Sequence, residues 1–252
     1  MMGDVTEMKF QAAIFDMDGT VLDTIRDLRD AVNYAMKETG HRHDFTDDDT
    51  KMLFGSGVYV ALSRALIAEK LGVSAEDDGV LDRMLEVGFT TGPEDYGIPK
   101  EEVERISTVY RPYYEKNCDI HTKPYDGIGA LLTRLRRSGV KTAVVSNKPD
   151  EAVRTLSADK FPDQFDFVLG EQPGIRRKPE PDMTDRCLEV LGVRREDAVY
   201  IGDTEIDLKT AENGGMQVIG VTWGFRGRRF LKAHGARMIA ETAEEAGRMI
   251  LQ

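Results

Sequence analysis

The chain has 252 residues, enough for one full core and a smaller second module but not for a multi-domain array. Hydrophobic residues make up 40% and charged residues 31%, a balance that excludes a disordered or collagen-like chain. The formal net charge of −11 repels nucleic-acid phosphates and anionic membranes, so neither is an expected partner, and an anionic substrate would need a local cluster of lysine, arginine or metal.

The N-terminal stretch MMGDVTEMKFQAAIF has acids where a signal peptide needs a basic start, and no apolar run approaches the roughly 18 residues of a membrane span. A cytoplasmic location is expected. From Ala12 the run AAIFD is short and apolar and ends at the polar and glycine cluster Asp16-Met17-Asp18-Gly19-Thr20, which predicts a buried strand stopping at a loop. The region from Thr24 to Cys118 differs in texture: DLRDAVNYAMKETG and VYVALSRALIAEKLG have helical periods, and no buried strand stands out. It is too long for a crossover, so residues 24–118 are expected to form an inserted helical domain, with 1–23 and 119–252 as the core. Within the insertion, Thr46 followed by Asp49 predicts a helix cap, Gly55-Ser56-Gly57 a helix-to-helix loop, and His41 and His43 exposed loop positions.

Further strands are predicted at Val140–Ser146, Phe165–Gly170, Ala198–Asp203 and Gln217–Trp223. Helical spacings separate them: Ile128, Leu131, Leu132 and Leu135; Cys187, Leu188 and Leu191; and Glu205–Asn213, closed by Gly214-Gly215. Alternation of this kind implies an α/β fold whose parallel sheet is covered on both faces. Cys118 and Cys187 lack metal-ligand spacing and read as free thiols, and Trp223 reads as a packing residue.

Ligands of such sheets bind beyond the carboxyl ends of the strands. There the chain places Asp16 and Asp18, then Ser146, Asn147 and Lys148, then Asp203 with Asp207 four positions on. Carboxylates gathered on one rim repel one another, which either raises some of their pKa values or demands a cation, and oxygen-only ligation points to Mg²⁺. Between the third and fourth of these strands Arg176-Arg177-Lys178 is a basic patch in an acidic chain; Pro179 and Pro181 restrict the backbone around Lys178, and a fixed Lys178 suits both a carboxylate nucleophile and a phosphoryl oxygen. Lys148 reads equally as a residue near substrate or as a solvated lysine. Arg64 could grip a substrate carboxylate as a bidentate fork.

Four segments in this order, DMDGT at 16–20, Ser146-Asn147, Lys178 within RKPEPD, and GDTEID at 202–207, resemble the motifs of the haloacid dehalogenase superfamily. Gly55-Ser56-Gly57 with Leu62 and Arg64-Ala65-Leu66 looks like the helical cap of its phosphoglycolate phosphatase branch. The resemblance implies a Rossmann-like core with an inserted α-helical cap and a Mg²⁺-dependent phosphatase acting on a small phosphorylated metabolite. Asp16 would be the nucleophile and Asp18 the general acid and base. Asp16, the Asp18 main-chain carbonyl and Asp203 would hold the metal, with Asp207 a ligand through water or a partner of Lys178. Thr20, Ser146 and Asn147 would donate to the phosphoryl oxygens beside Gly19, and Lys178 would stabilise the developing charge. A β-phosphoglucomutase-like isomerase and a catalytically idle binding module are the rival readings; Thr20 where the isomerases carry valine, and the intact carboxylates, weigh against them.

Overall fold

The computed structural model describes residues 10–88 and 90–252, so the acidic start at residues 1–9 lies outside the described residues. The chain divides into two compact units, one made of the segment up to Asp23 with Lys123–Gln252 and the other of Thr24–Thr122. Elements in chain order are β1 (Ala12–Phe15) and β2 (Leu22–Asp23); α1 (Ile25–Glu38), α2 (Asp47–Leu53), α3 (Val58–Leu71), α4 (Val80–Glu86) and α5 (Lys100–Asn117) of the insertion; β3 (Lys123–Pro124), α6 (Ile128–Arg137), β4 (Lys141–Pro149), α7 (Asp150–Lys160), β5 (Phe167–Glu171), α8 (Asp182–Leu191), β6 (Ala198–Gly202), α9 (Glu205–Asn213), β7 (Gln217–Val221), α10 (Arg228–Ala233), β8 (Met238–Ala240) and α11 (Ala243–Leu251).

Among the described residues six strands form one parallel sheet in the order β5-β4-β1-β6-β7-β8. Successive side chains of a strand point to opposite faces, and here both faces are apolar. Ala13 and Phe15 of β1 join one buried cluster with Ile128, Leu132 and Ile250, while Ala12 and Ile14 join another with Met183, Cys187 and Leu191. Burying a side chain such as Ile14 completely is worth about 1.5–3 kcal/mol, so the continuous apolar runs place β1 at the centre. After β1 the chain builds β4 and β5 on one side and then β6, β7 and β8 on the other. The carboxyl end of β1, between those of β4 and β6, is therefore the switch point where a ligand crevice opens.

The turn after β1 is tight. The Met17 carbonyl accepts from the amides of Thr20, Val21 and Leu22 at 3.0–3.3 Å, and Gly19 takes a φ of +84°, open to glycine at little cost. β2 pairs antiparallel with β3, Leu22 opposite Pro124 and Asp23 opposite Lys123, so a two-stranded ladder brackets the insertion on the core side.

In the insertion, α3 is buried continuously from Val60 to Ala68, and Gly72 caps it in the left-handed conformation at φ +65°. Thr46 caps α2: its hydroxyl accepts from the Asp49 amide, and the Asp49 carboxylate accepts from the Thr46 amide. The unit ends after Thr122, beyond the Cys118 boundary expected from sequence. The reason is Asp27, whose carboxylate takes hydrogen bonds from the amides of His121 and Thr122 and from the Thr122 hydroxyl, fastening that segment to α1. His41 is also not the exposed loop residue expected, since its ring bridges Glu69 and Glu102 at 2.9 and 2.6 Å.

Candidate active site

Asp16 follows β1 directly, 8% exposed. Its Oδ1 accepts from the Met17 amide at 2.7 Å and lies 2.9 Å from the Lys178 ammonium. Lys178 Nζ also donates to Asp207 Oδ1 at 2.8 Å and to the Tyr200 hydroxyl at 3.0 Å, and that hydroxyl in turn donates to the Val145 carbonyl. Asn147, expected among the phosphoryl donors, pairs its carboxamide reciprocally with the Lys178 main chain, at 2.9 Å in both directions, which engages one of its two N–H groups. It is the residue that fixes where Lys178 starts.

Asp203 follows β6 directly and is fully buried. Thr20 Oγ1 donates to its Oδ1 at 2.7 Å and the Phe225 amide to its Oδ2 at 2.7 Å. A hydroxyl has one proton to give, so Thr20 serves Asp203 in this structure and not the phosphoryl group as expected. The carboxylate can sit here because Gly19 and Gly224 have no Cβ; one added at either position would overlap it. Asp207 meets Lys178, one of the two roles the resemblance implies for it. Its Oδ2 accepts from the amides of Asp203 and Thr204 and from the Thr204 hydroxyl, forming the cap of α9, while Oδ1 meets Lys178. It is the anchor of Lys178.

Asp18 meets Lys148 Nζ at 2.8 Å. Lys148 is 5% exposed and so is no solvated lysine, a role that spacing left open and burial decides. Ser146 is buried within β4, where the regular pairing with β5 ends after Val145, its hydroxyl accepting from the Lys148 amide at 3.3 Å. The basic patch at 176–178 contributes Lys178 alone to this cluster, since Arg176 is exposed and pairs with Glu180 and Asp182. Arg64 is a larger correction. It is fully buried within the insertion, donating to the carbonyls of Leu53 and Val87 and to Ser56 Oγ, so its fork is engaged by the loop it was expected to accompany. A helix apolar all round offers no polar face from which its arginine could be read.

Burial pushes Asp16 up to about 7, Lys178 opposing the shift and Asp207 adding to it. Burial, then the charges of Asp207 and Asp16, hold Asp203 well above the usual carboxylate range. Lys178 loses hydration by burial, yet Asp16 and Asp207 together keep its ammonium well above the ordinary lysine value. Oxygens of Asp16, Asp203 and Asp207 lie within 4.8 Å of one another. Three carboxylates face one ammonium, a formal deficit of two positive charges. The hard-oxygen donor set and that deficit suit a divalent cation, with Asp16 and Asp203 the residues to hold it.

Sequence reasoning missed Tyr200, Phe225 and Arg226. Tyr200 had a readable signal, because a tyrosine inside the apolar run AVYIG must find a partner for its hydroxyl. The Phe225 amide had none. No helix among the described residues is long and apolar enough to cross a membrane.

The family model for haloacid dehalogenase-like hydrolases matches residues 13–221. A phosphoglycolate phosphatase of Aquifex aeolicus is 31% identical over 213 residues, 84% of either chain. A candidate pyrophosphatase of Caldanaerobacter subterraneus is 28% identical, covering 86% of this chain and 83% of its own. The solved structure of a candidate phosphoglycolate phosphatase from Lactobacillus delbrueckii subsp. bulgaricus superposes with a TM-score of 0.91 at 52% identity, over 97% of this chain and 99% of that one. With its sheet, its strand-end carboxylates and these relatives agreeing, the chain belongs to the haloacid dehalogenase-like hydrolases.

Proposed function

We propose that the chain is a Mg²⁺-dependent phosphatase that hydrolyses a small phosphomonoester through an aspartyl phosphate on Asp16, with phosphoglycolate the leading substrate. The observation that carries this reading is Asp16 held by Lys178 and the Met17 amide inside a carboxylate cluster two positive charges short. Bound by Asp16, Asp203 and the Asp18 main-chain carbonyl, Mg²⁺ would offset negative charge on the transferred group. Asp16 attacks phosphorus as a carboxylate, and Lys178, positioned by Asn147, Tyr200 and Asp207, faces the charge that develops. Asp18 gives its proton to the leaving oxygen, then takes one from the water that cleaves the acyl phosphate, restoring Asp16. Lys148 holds the Asp18 carboxyl in place between the two steps.

The phosphoglycolate phosphatases among its relatives favour that ester. The pyrophosphatase relative favours a second reading, pyrophosphate as substrate. The deciding experiment is a panel of phosphoglycolate, pyrophosphate, sugar phosphates and an aryl phosphate, with Mg²⁺ and with chelator. Phosphoglycolate is expected to show the highest kcat/KM and the chelator to abolish turnover. A preference for pyrophosphate would replace the substrate assignment, and turnover that survives the chelator would remove the metal.

A further inference from the structure

The loop that leaves β7 contains a buried ion pair for which the chemistry above has no use. Arg226 is 1% exposed and meets Glu205, Nε to Oε2 at 3.0 Å and Nη2 to Oε1 at 3.4 Å. Buried ion pairs add little net stability compared with apolar packing of the same volume, so stability alone does not account for it. Its location does. Glu205 opens α9 two residues after Asp203, and the loop that ends in Arg226 donates the Phe225 amide to Asp203 Oδ2 at 2.7 Å. The same loop donates the Trp223 indole N–H to the Thr20 carbonyl at 3.0 Å, while the Thr20 hydroxyl donates to Asp203 Oδ1. Gly224 lets the loop approach this closely, since a Cβ there would overlap the Gly19 carbonyl and the Asp203 carboxylate. Both oxygens of Asp203 are thus oriented by a closed circuit of Thr20, Phe225 and Trp223.

We propose that the Trp223–Arg226 loop is a positioning element for the Asp203 carboxylate, clamped to the start of α9 by the Glu205–Arg226 pair, and that it sets the affinity of the divalent-cation site. The proposal rests on the Mg²⁺ reading given above. Releasing the clamp lets the Phe225 amide drift, and Asp203 then loses the donor that fixes its plane. Groups that orient a ligating side chain typically change metal affinity about 10–100-fold when removed.

The test is calorimetric titration of Mg²⁺ into the full chain without substrate. Glu205→Leu combined with Arg226→Met removes both charges together and so leaves neither buried and unpaired. The Mg²⁺ dissociation constant of this double variant is expected to rise about 10–100-fold, with the KM for an aryl phosphate unchanged at saturating Mg²⁺ and turnover largely recovered there. Arg226→Lys alone, which keeps the charge but loses the fork, is expected to fall between wild type and double variant, and it reads the same effect should the double variant not fold. Folded variants that bind Mg²⁺ like wild type overturn the proposal. Lost turnover with unchanged Mg²⁺ affinity also overturns it. If wild type shows no Mg²⁺ heat, or Asp203→Asn binds equally well, the metal reading itself fails and takes the proposal with it.

Discussion

Both units bury charged side chains, but they treat them differently. In the insertion, Asp27 accepts from the amides of His121 and Thr122, Asp49 from those of Thr46 and Ala75, and Arg64 donates to the carbonyls of Leu53 and Val87. Each charge meets main-chain groups of opposite polarity, which is ordinary satisfaction of buried groups. In the core, Asp16, Asp203 and Asp207 lie among other carboxylates. Burial alone therefore does not mark a site. Burial against like charge does, because such a cluster raises the pKa values of its members and favours a cation, both of which are common at functional sites.

The largest effect that should separate the units is on turnover. On the proposed mechanism Asp16→Asn would remove the nucleophile and one metal-holding group, and kcat for an aryl phosphate is expected to fall by at least about 10⁴-fold, measured with Mg²⁺ present. Near-normal activity in this variant would end the covalent mechanism. Asp18→Asn comes next. On the proposed mechanism it would lack the base for the second step, so kcat for an alkyl phosphate should drop about 10²–10⁴-fold. With an activated aryl phosphate the phosphoenzyme should persist, visible as an added phosphoryl mass after quenching.

In the insertion the corresponding change should act on stability instead. Arg64→Met leaves the Leu53 and Val87 carbonyls without their donor; such a loss costs about 1–3 kcal/mol per group, and denaturant unfolding should show a loss of roughly 2–3 kcal/mol. The folded variant should hydrolyse phosphoglycolate and a neutral aryl phosphate with kcat/KM values in the wild-type ratio. A tenfold or greater fall confined to phosphoglycolate, the size of a lost charged contact, would return Arg64 to substrate recognition and break the comparison.

The two units were also unequally legible. Long apolar runs such as AVVS and AVYIG announce central strands, because a strand covered on both faces has no alternation to confuse with anything else. The strand-end residues Asp16, Ser146 and Asp203 follow from those runs. β8 has three residues, two of them half-buried, and lies at the sheet edge, so it carries no such signal. Direction of side-chain bonding was not legible anywhere. Thr20, Asn147 and Arg64 have donors of the right kind at plausible positions, yet tertiary contacts turn those donors toward Asp203, the Lys178 main chain and the Leu53 carbonyl. The four-residue link from Trp223 to Arg226 sits beyond a strand end like the motifs, but its key group is a main-chain amide, which every residue possesses.

The smallest expected effect tests whether the insertion's charges are purely structural. Glu102 on α5 accepts from Arg105 and from the His41 ring, and these hydrogen bonds, Arg105 first, lower its carboxyl to about 2 against an ordinary 4.5. A carboxyl with a depressed folded value binds fewer protons folded than unfolded, so its contribution is fully present above about 4.5 and is lost as pH falls through about 2. Glu102→Gln should therefore lower stability modestly at neutral pH, with the difference from wild type shrinking across that acid window. The partners are partly solvated, so added salt should shrink it as well. Hydrogen exchange of α3 and α5 amides reads this locally, while Mg²⁺ affinity and kcat/KM on the aryl phosphate stay at wild-type values. A shift in either would mean that the His41, Glu69 and Glu102 group communicates with the chemistry, and the division between satisfied and unsatisfied buried charge would no longer separate scaffold from site.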